Sequence, residues 1–304
     1  MKKDYATVEW PTLLLLMATY IGFAAGTTLW DRWPVVSIVL TAWCIAQFSS
    51  LQHEALHGHP FRNDLLNEAL VFPALAIVMP YRRFKQTHLQ HHFDPALTDP
   101  YDDPETQYLD PTVWKTLSWP IQKLLMWNNT LFGRIIFGPA IGMAHWIFGE
   151  ARLAIKNAPR VRNAWALNFA GLVPVILWLS WVRFPLLAYA AALYLAMALL
   201  RIRTFLEHRA HEVVRARTVI VEDRGPLALL FLNNNLHAVH HMHPQVAWYR
   251  LPSLYRQRKD RFCQRTDHYI YASYAEVFRR YLFVEKEPVS HPLYADEKPG
   301  AAQL

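Results

Sequence analysis

The chain has 304 residues, of which 53% are hydrophobic, 14% aromatic and 18% charged, with a net charge of +7. That balance excludes a disordered bulk, which would be poorly hydrophobic and highly charged. Two cysteines, Cys44 and Cys263, stand far apart and in no CxxC pair, which excludes a disulfide scaffold, a four-cysteine zinc site and a Cys-ligated iron–sulfur cluster. No nucleic-acid-binding motif accompanies the positive charge, so a nucleic acid is not an expected partner.

Four apolar runs set the fold class. Residues 11–30 and 33–52 form one pair, 163–182 and 184–200 another, and none holds Asp, Glu, Lys or Arg. A helix rising about 1.5 Å per residue needs about 20 residues to cross the hydrocarbon core. Four spans are therefore predicted, over about 11–30, 33–52, 163–182 and 184–202. They pair into two hairpins that turn at Asp31-Arg32-Trp33-Pro34 and at Arg183-Phe184-Pro185. Each turn carries one Arg, while nearly all other Lys and Arg lie beyond the opposite ends. The positive-inside rule then puts both termini and the long loops in the cytoplasm, and the expected location is a bacterial-type inner (plasma) membrane. No small-residue cleavage signature precedes residue 30, so the first run is expected to be retained.

Residues 69–81 and 135–149 are apolar but too short to cross. The first contains Pro73 and Pro80, the second Pro139 and several Gly. Both read as re-entrant or interfacial helices. Residues 286–304 are polar, with Pro288, Pro292 and Pro299, and are expected to form a loose tail. The predicted fold class is an all-α integral membrane protein: four transmembrane helices in two hairpins, interfacial or re-entrant helices, and a cytoplasmic His-rich cap, in one membrane-embedded domain over 1–285.

The histidines carry the chemistry. Of 15 His, ten lie in three windows, 53–59, 88–92 and 237–243. The first reads His53-Glu-Ala-Leu-His57-Gly-His59, the second His88-Leu-Gln-His91-His92, the third His237-Ala-Val-His240-His241-Met-His243. On a helix, positions i and i+4 share a face, so His53 and His57 can reach one ion. In HxxHH the i, i+3 and i+4 rings cluster. Neutral imidazole suits Fe, Zn, Cu and Ni, and eight or more imidazoles exceed what one six-coordinate ion can hold. Two metals are the natural count. If 69–81 crossed alone, the first two windows would face opposite sides of the membrane, so their convergence requires that it does not.

Further positions accompany the windows. His208 follows the last span and, if the helix continues, lies about two turns below it, level with the windows; it is a candidate ligand. His211 is a nearby candidate or a solvated neighbour. Asn233 stands four residues before His237 and can face the same metal, although Asn233, Asn234 and Asn235 also suit capping or support of a ligand ring. Asp94, Asp99, Asp102, Asp103 and Glu105 follow the second window and can orient imidazoles through the second ring nitrogen. His59 and His243 extend their windows. His145, His268 and His291 receive no role.

These residues resemble the membrane fatty acid desaturase superfamily, which includes acyl desaturases, hydroxylases, acetylenases and carotenoid ketolases. Its signature is HxxxH, HxxHH and HxxHH around two membrane hairpins, matched here by His53/His57, His88/His91/His92 and His237/His240/His241. The resemblance covers roughly residues 35–260 and includes the acidic run HHFDPALTDPYDDPE. It implies a diiron centre, two Fe, that uses O₂ and two electrons on an unactivated C–H bond, with desaturation of an acyl-lipid chain as the leading reaction and hydroxylation or carotenoid oxidation as alternatives. The family's extra histidine between the second hairpin and the last box fits His208. His59, a third histidine in the first box, departs from the pattern.

The lipid bilayer and an acyl-chain or other lipid substrate are the implied partners. Trp43, Phe48, Trp127 and Phe205 are candidates to line an acyl path. The chain shows neither a Cys set for a cluster nor a Gly-rich dinucleotide fingerprint. Electrons are therefore expected from a separate ferredoxin or reductase, with Arg250, Arg256, Arg258, Lys259 and Arg261 as a candidate docking patch. Two rival readings remain. His53-Glu54-Ala-Leu-His57 is also HExxH, the zinc protease motif with Glu54 as base, but that site leaves both HxxHH runs unexplained. A metal transporter or sensor would place ionisable groups within its spans, and these four have none between their ends.

Overall fold

The computed structural model describes residues 8–156 and 158–294. Its four long apolar helices are α1 (Trp10–Thr28), α2 (Pro34–Leu56), α9 (Pro159–Trp181) and α10 (Leu186–Thr204), each long and apolar enough to cross a membrane. Between α2 and α9 lie α3 (Asp64–Leu70), α4 (Tyr81–His91), α5 (Pro111–Thr116), α6 (Trp119–Asn128), α7 (Leu131–Ile136) and α8 (Gly138–Ile155). After α10 come α11 (Pro226–Leu230), α12 (His237–Met242), α13 (Leu251–Gln257), α14 (Lys259–Arg265) and α15 (Tyr274–Tyr281). A two-residue parallel pair, β1 (Ile220–Val221) with β2 (Ile270–Tyr271), ties this last third together. The protein is an all-α integral membrane protein.

Proline marks the helix starts. Pro11, Pro34 and Pro159 each occupy the first turn of α1, α2 and α9, where the missing N–H would have no intrahelical partner. The spans expose apolar side chains that only lipid can cover, among them Ile21, Leu177 and Leu187. Their inner faces use small residues for close approach. Ser37 donates to Gly26 O at 2.6 Å across the first hairpin. Trp178 Nε1–H donates to Thr27 Oγ1 at 2.9 Å, joining α9 to α1.

Residues 69–81 correct the expectation of a helix. α3 ends at Leu70, and 71–80 are irregular until α4 begins at Tyr81. Pro73 and Pro80 cannot supply helical N–H donors. The spans supply the missing partners instead: Tyr20 Oη donates to Leu70 O (2.7 Å), Tyr189 Oη to Leu75 O (2.6 Å) and Asn168 Nδ2 to Ile77 O (2.9 Å). The Ala74 N–H donates to Gly171 O at 3.0 Å. A Cβ at Gly171 would sit 2.2 Å from Phe72 O, so glycine is what permits this contact. Irregular backbone is tolerated at such a place only where protein satisfies it. The 135–149 stretch does form helix, ending α7 and filling most of α8, which is not among the four candidate spans. It exposes Ile147 and Phe148, as an interfacial helix does.

The loose tail also needs correction in its first part. Leu109 N–H donates to Val289 O and His291 N–H to Leu109 O, both at 2.9 Å, while Lys286 N–H donates to Asn129 O. Val289 and His291 are buried. Backbone pairing with Leu109 and the buried Val289 and His291 outweigh the polar composition that suggested a tail. Residues 295–304 lie outside the described residues.

Candidate metal centre

Three helix ends and one extended segment bring nine imidazoles together. The last turn of α2 presents His53, with His57 at its C-cap. α4 presents His88 and His91, with His92 at its C-cap. α12 presents His237, His240 and His241. His208 arrives differently from the expectation of a continued helix. α10 stops at Thr204, and residues 207–209 pair with 217–219: Arg209 N–H donates to Arg217 O at 2.8 Å and Val219 N–H to Glu207 O at 3.1 Å. This antiparallel bridge fixes the His208 backbone in place of a helical turn.

The nine rings divide into two sets. His53, His57, His88, His92 and His240 form one; His91, His208, His237 and His241 form the other. Within each set one donor atom per residue lies within 4.8 Å of all the others. His53, His88, His91, His237 and His240 are each no more than 2% exposed. The sets share a wall, where the rings of His92 and His241 stack at 4.2 Å between centroids.

Hydrogen bonds fix which ring nitrogen faces inward. A carboxylate oxygen only accepts, so His88 Nδ1–H donates to Glu105 (2.9 Å) and His91 Nδ1–H donates to Asp103 (2.7 Å). His237 Nδ1 meets Asn234 Oδ1 at 3.0 Å, again as donor. In the neutral ring this leaves Nε2 as a bare lone pair. Those atoms then converge. His88 Nε2 lies 3.0 Å from His92 Nε2, which lies 3.1 Å from His240 Nε2. His91 and His237 Nε2 lie 2.9 and 3.2 Å from His208 Nε2. Among the described residues, the buried Nε2 atoms of His53 and His57 have no hydrogen-bond partner. Lone pairs this close repel unless a proton or a metal ion lies between them, and five and four donor atoms that lie within 4.8 Å of one another fit the coordination of two metal ions.

The local field agrees. Burial pushes His57 down to about 2, and it also pushes His92, His208, His237 and His240 well below the usual imidazole value. These rings are therefore neutral and ready to donate lone pairs. His91 is the exception. Burial lowers it, but Glu105 and Asp103 outweigh that and hold it up at about 9. The second set thus sits in a negative field that favours a cation, whether proton or metal.

The remaining expected residues fall elsewhere. His59 lies outside both sets, its Nδ1 2.8 Å from Glu9 Oε2. His211 faces Asp267 at 3.4 Å. Asn233 donates to Trp248 O at 3.1 Å, and its neighbour Asn234 takes the supporting position instead. His243 packs on the Phe262 ring at 6.1 Å. The Asp94 side chain lies outside the described residues. Of the acidic run, Asp103 and Glu105 reach the histidines, whereas Asp99 accepts the N–H groups of Tyr101 and Asp102. Phe48 and Phe205 are sealed in the core and Trp127 is exposed.

Sequence reasoning did not single out Glu207 or Lys286. Glu207 pairs with Arg203 at 2.8 Å and lies 3.8 Å from His237 Nδ1. Lys286 Nζ donates to His208 O. Glu207's place beside His208 was the one available signal; nothing local pointed to Lys286.

The family model described as Fatty acid desaturase matches residues 28–274, a stretch that includes all nine histidines. No curated protein matches the chain.

Proposed function

The chain belongs to the fatty acid desaturase family, and on that premise we propose that it is a two-iron, O₂-dependent enzyme that desaturates the acyl chain of a membrane lipid. Membership makes it an oxidoreductase of a membrane family that works through iron. The proposed ligands are His53, His57, His88, His92 and His240 for one ion and His91, His208, His237 and His241 for the other. The observation that carries this reading is the convergence of bare Nε2 atoms into two adjacent sets.

Bound iron would supply the oxidising power toward an unactivated C–H bond, drawing on O₂ and two electrons, since no side chain has that chemistry. The chain's own residues prepare the place. Asp103, Glu105 and Asn234 hold their rings so that Nε2 points inward before any ion arrives. The lipid-facing surface of the spans keeps the protein where acyl chains are. Exposed Arg256, Arg258, Lys259 and Arg261, on α13, α14 and the junction between them, support docking of a separate acidic electron donor, a ferredoxin or reductase. The arginine and lysine distribution supports placing this face in the cytoplasm.

Glu54 argues against the zinc-protease reading. Its carboxylate accepts the Trp248 N–H at 3.2 Å, and His53 and His57 share their set with members of both HxxHH runs. Metal analysis of the purified protein tests the proposal, with about two irons per chain expected. Lipid extracts from cells producing the protein should gain a double bond; a new hydroxyl or keto group would transfer the chain to the hydroxylase or ketolase branch. One zinc per chain, kept in His91→Ala and His240→Ala but lost in His53→Ala, would overturn the two-iron reading.

A further inference from the structure

A second polar site lies apart from the histidines, where α9 begins. A cavity of about 230 Å³ is lined by Arg82, Arg83, Gln86, Arg160, Asn163 and Ala164. It is smaller than the roughly 300–1,000 Å³ of a site for a drug-sized molecule, and matches a headgroup rather than a whole lipid. Three guanidiniums and two carboxamides line it, with no carboxylate among them.

The cavity is open, with Arg82, Gln86, Arg160 and Asn163 exposed around a buried floor of Arg83 and Ala164, and the floor is fixed. Arg83 is 6% exposed, and Glu150 grips its Nε at 2.9 Å and its Nη2 at 2.7 Å. Trp165 Nε1–H donates to the same carboxylate at 3.1 Å. Arg83 Nη1 donates to Gln86 Oε1, which turns the Gln86 amide donors away from Arg83. Arg82 is held by Glu68, with Nε 2.6 Å from Oε1. Two of the three cations are therefore balanced from outside the lining. Among the described residues, Arg160 has no ion-pair partner, and it stands in the first turn of α9, whose N-cap Ala158 offers no side chain to the free N–H groups. The surplus is positive charge and N–H donors, which is what a phosphate-type oxyanion requires. The place is the first turn of a helix long and apolar enough to cross a membrane, an end that would meet the lipid headgroups.

We propose that this cavity binds the phosphodiester headgroup of an anionic phospholipid. The bound headgroup would bridge α4 to α9. α4 carries His88, His91 and His92, and Gln86 and Arg83 precede His88 by two and five residues. Occupancy of the cavity therefore braces the helix that holds three of the nine histidines.

The test uses the full-length, iron-loaded protein in neutral detergent at a fixed ionic strength. It is titrated with short-chain phosphatidylglycerol, with phosphatidylcholine and with inorganic phosphate, reading melting temperature and lipid retained in native mass spectrometry. Phosphatidylglycerol should raise the melting temperature and remain bound, and the two controls should not. Arg160→Gln removes the unbalanced cation and should weaken binding about tenfold or more. Asn163→Asp, which puts a carboxylate in the lining, should abolish it. Arg162→Gln, which removes a neighbouring charge outside the lining, should leave it intact. Equal weakening in Arg160→Gln and Arg162→Gln would mean diffuse surface charge and overturn the site. An equal response to inorganic phosphate would mean a free-anion site and overturn the lipid.

Discussion

His91 and His240 exchange partners. Each is the middle histidine of an HxxHH run, and each leaves the two flanking members of its own run to join the other set. His88 and His92 stay together while His91 joins His237 and His241; His240 crosses the other way. The cause is helical geometry. Residues i and i+4 lie on one face about one turn apart, and i+3 is offset in angle toward the neighbour. Two such helix ends placed side by side therefore weave two sites rather than build one each.

That weave predicts that the two ions depend on each other. His91→Ala and His240→Ala each remove one imidazole from one set, but the lost ring also packs against members of the other set. Either substitution should lower iron from about two per chain to one or fewer. His211→Ala and His243→Ala, outside both sets, should keep both irons. Elemental analysis of the purified variants decides this.

Asp103 should matter more than its neighbours in the acidic run. Its two oxygens accept from His91 Nδ1, from the Thr98 N–H and from the Glu105 N–H. A carboxamide has only one accepting atom, so Asp103→Asn sets an N–H against at least one of these donors. Loss of such a supporting contact typically costs about 10–100-fold in metal affinity. Asp102→Asn should be neutral, since it is the Asp102 backbone carbonyl that accepts from Gln90 Nε2. Iron retention against a chelator series separates the two.

Gly171→Ala should destabilise the membrane core. The added Cβ would meet Phe72 O at 2.2 Å, against backbone that cannot step aside. Overpacking of this kind costs about 1–3 kcal/mol. Gly149→Ala in α8 has nothing within 4 Å of the new Cβ and should hold or raise stability, by up to about 1 kcal/mol, since alanine is the better helix former. Thermal unfolding of both variants in one detergent reads the contrast.

Glu54→Gln should retain iron and product formation. Glu54 belongs to neither histidine set, and glutamine can still accept the Trp248 N–H that the carboxylate accepts at 3.2 Å. Loss of all activity with both irons kept would instead assign Glu54 a chemical role.

The membrane class, the four spans and the eight histidines of the three boxes are legible in the sequence, because each rests on a short-range rule; His208 is not, since a bridge to Thr218 and not a continued helix carries it. An uncharged run of sufficient length has to be helix in lipid, and HxxxH and HxxHH carry their spacing on their face. The tertiary structure alone divides the rings into two sets, since that depends on how α2, α4 and α12 meet end to end. It alone chose Asp103 and Glu105 from five acidic candidates, and Asn234 over Asn233, because a difference of one residue turns a side chain to another direction. The irregular path of 71–80 was likewise settled at a distance. Its Leu75 and Ile77 carbonyls find partners on Tyr189 and Asn168, and no local pattern can announce a hydrogen bond made across about a hundred residues of chain.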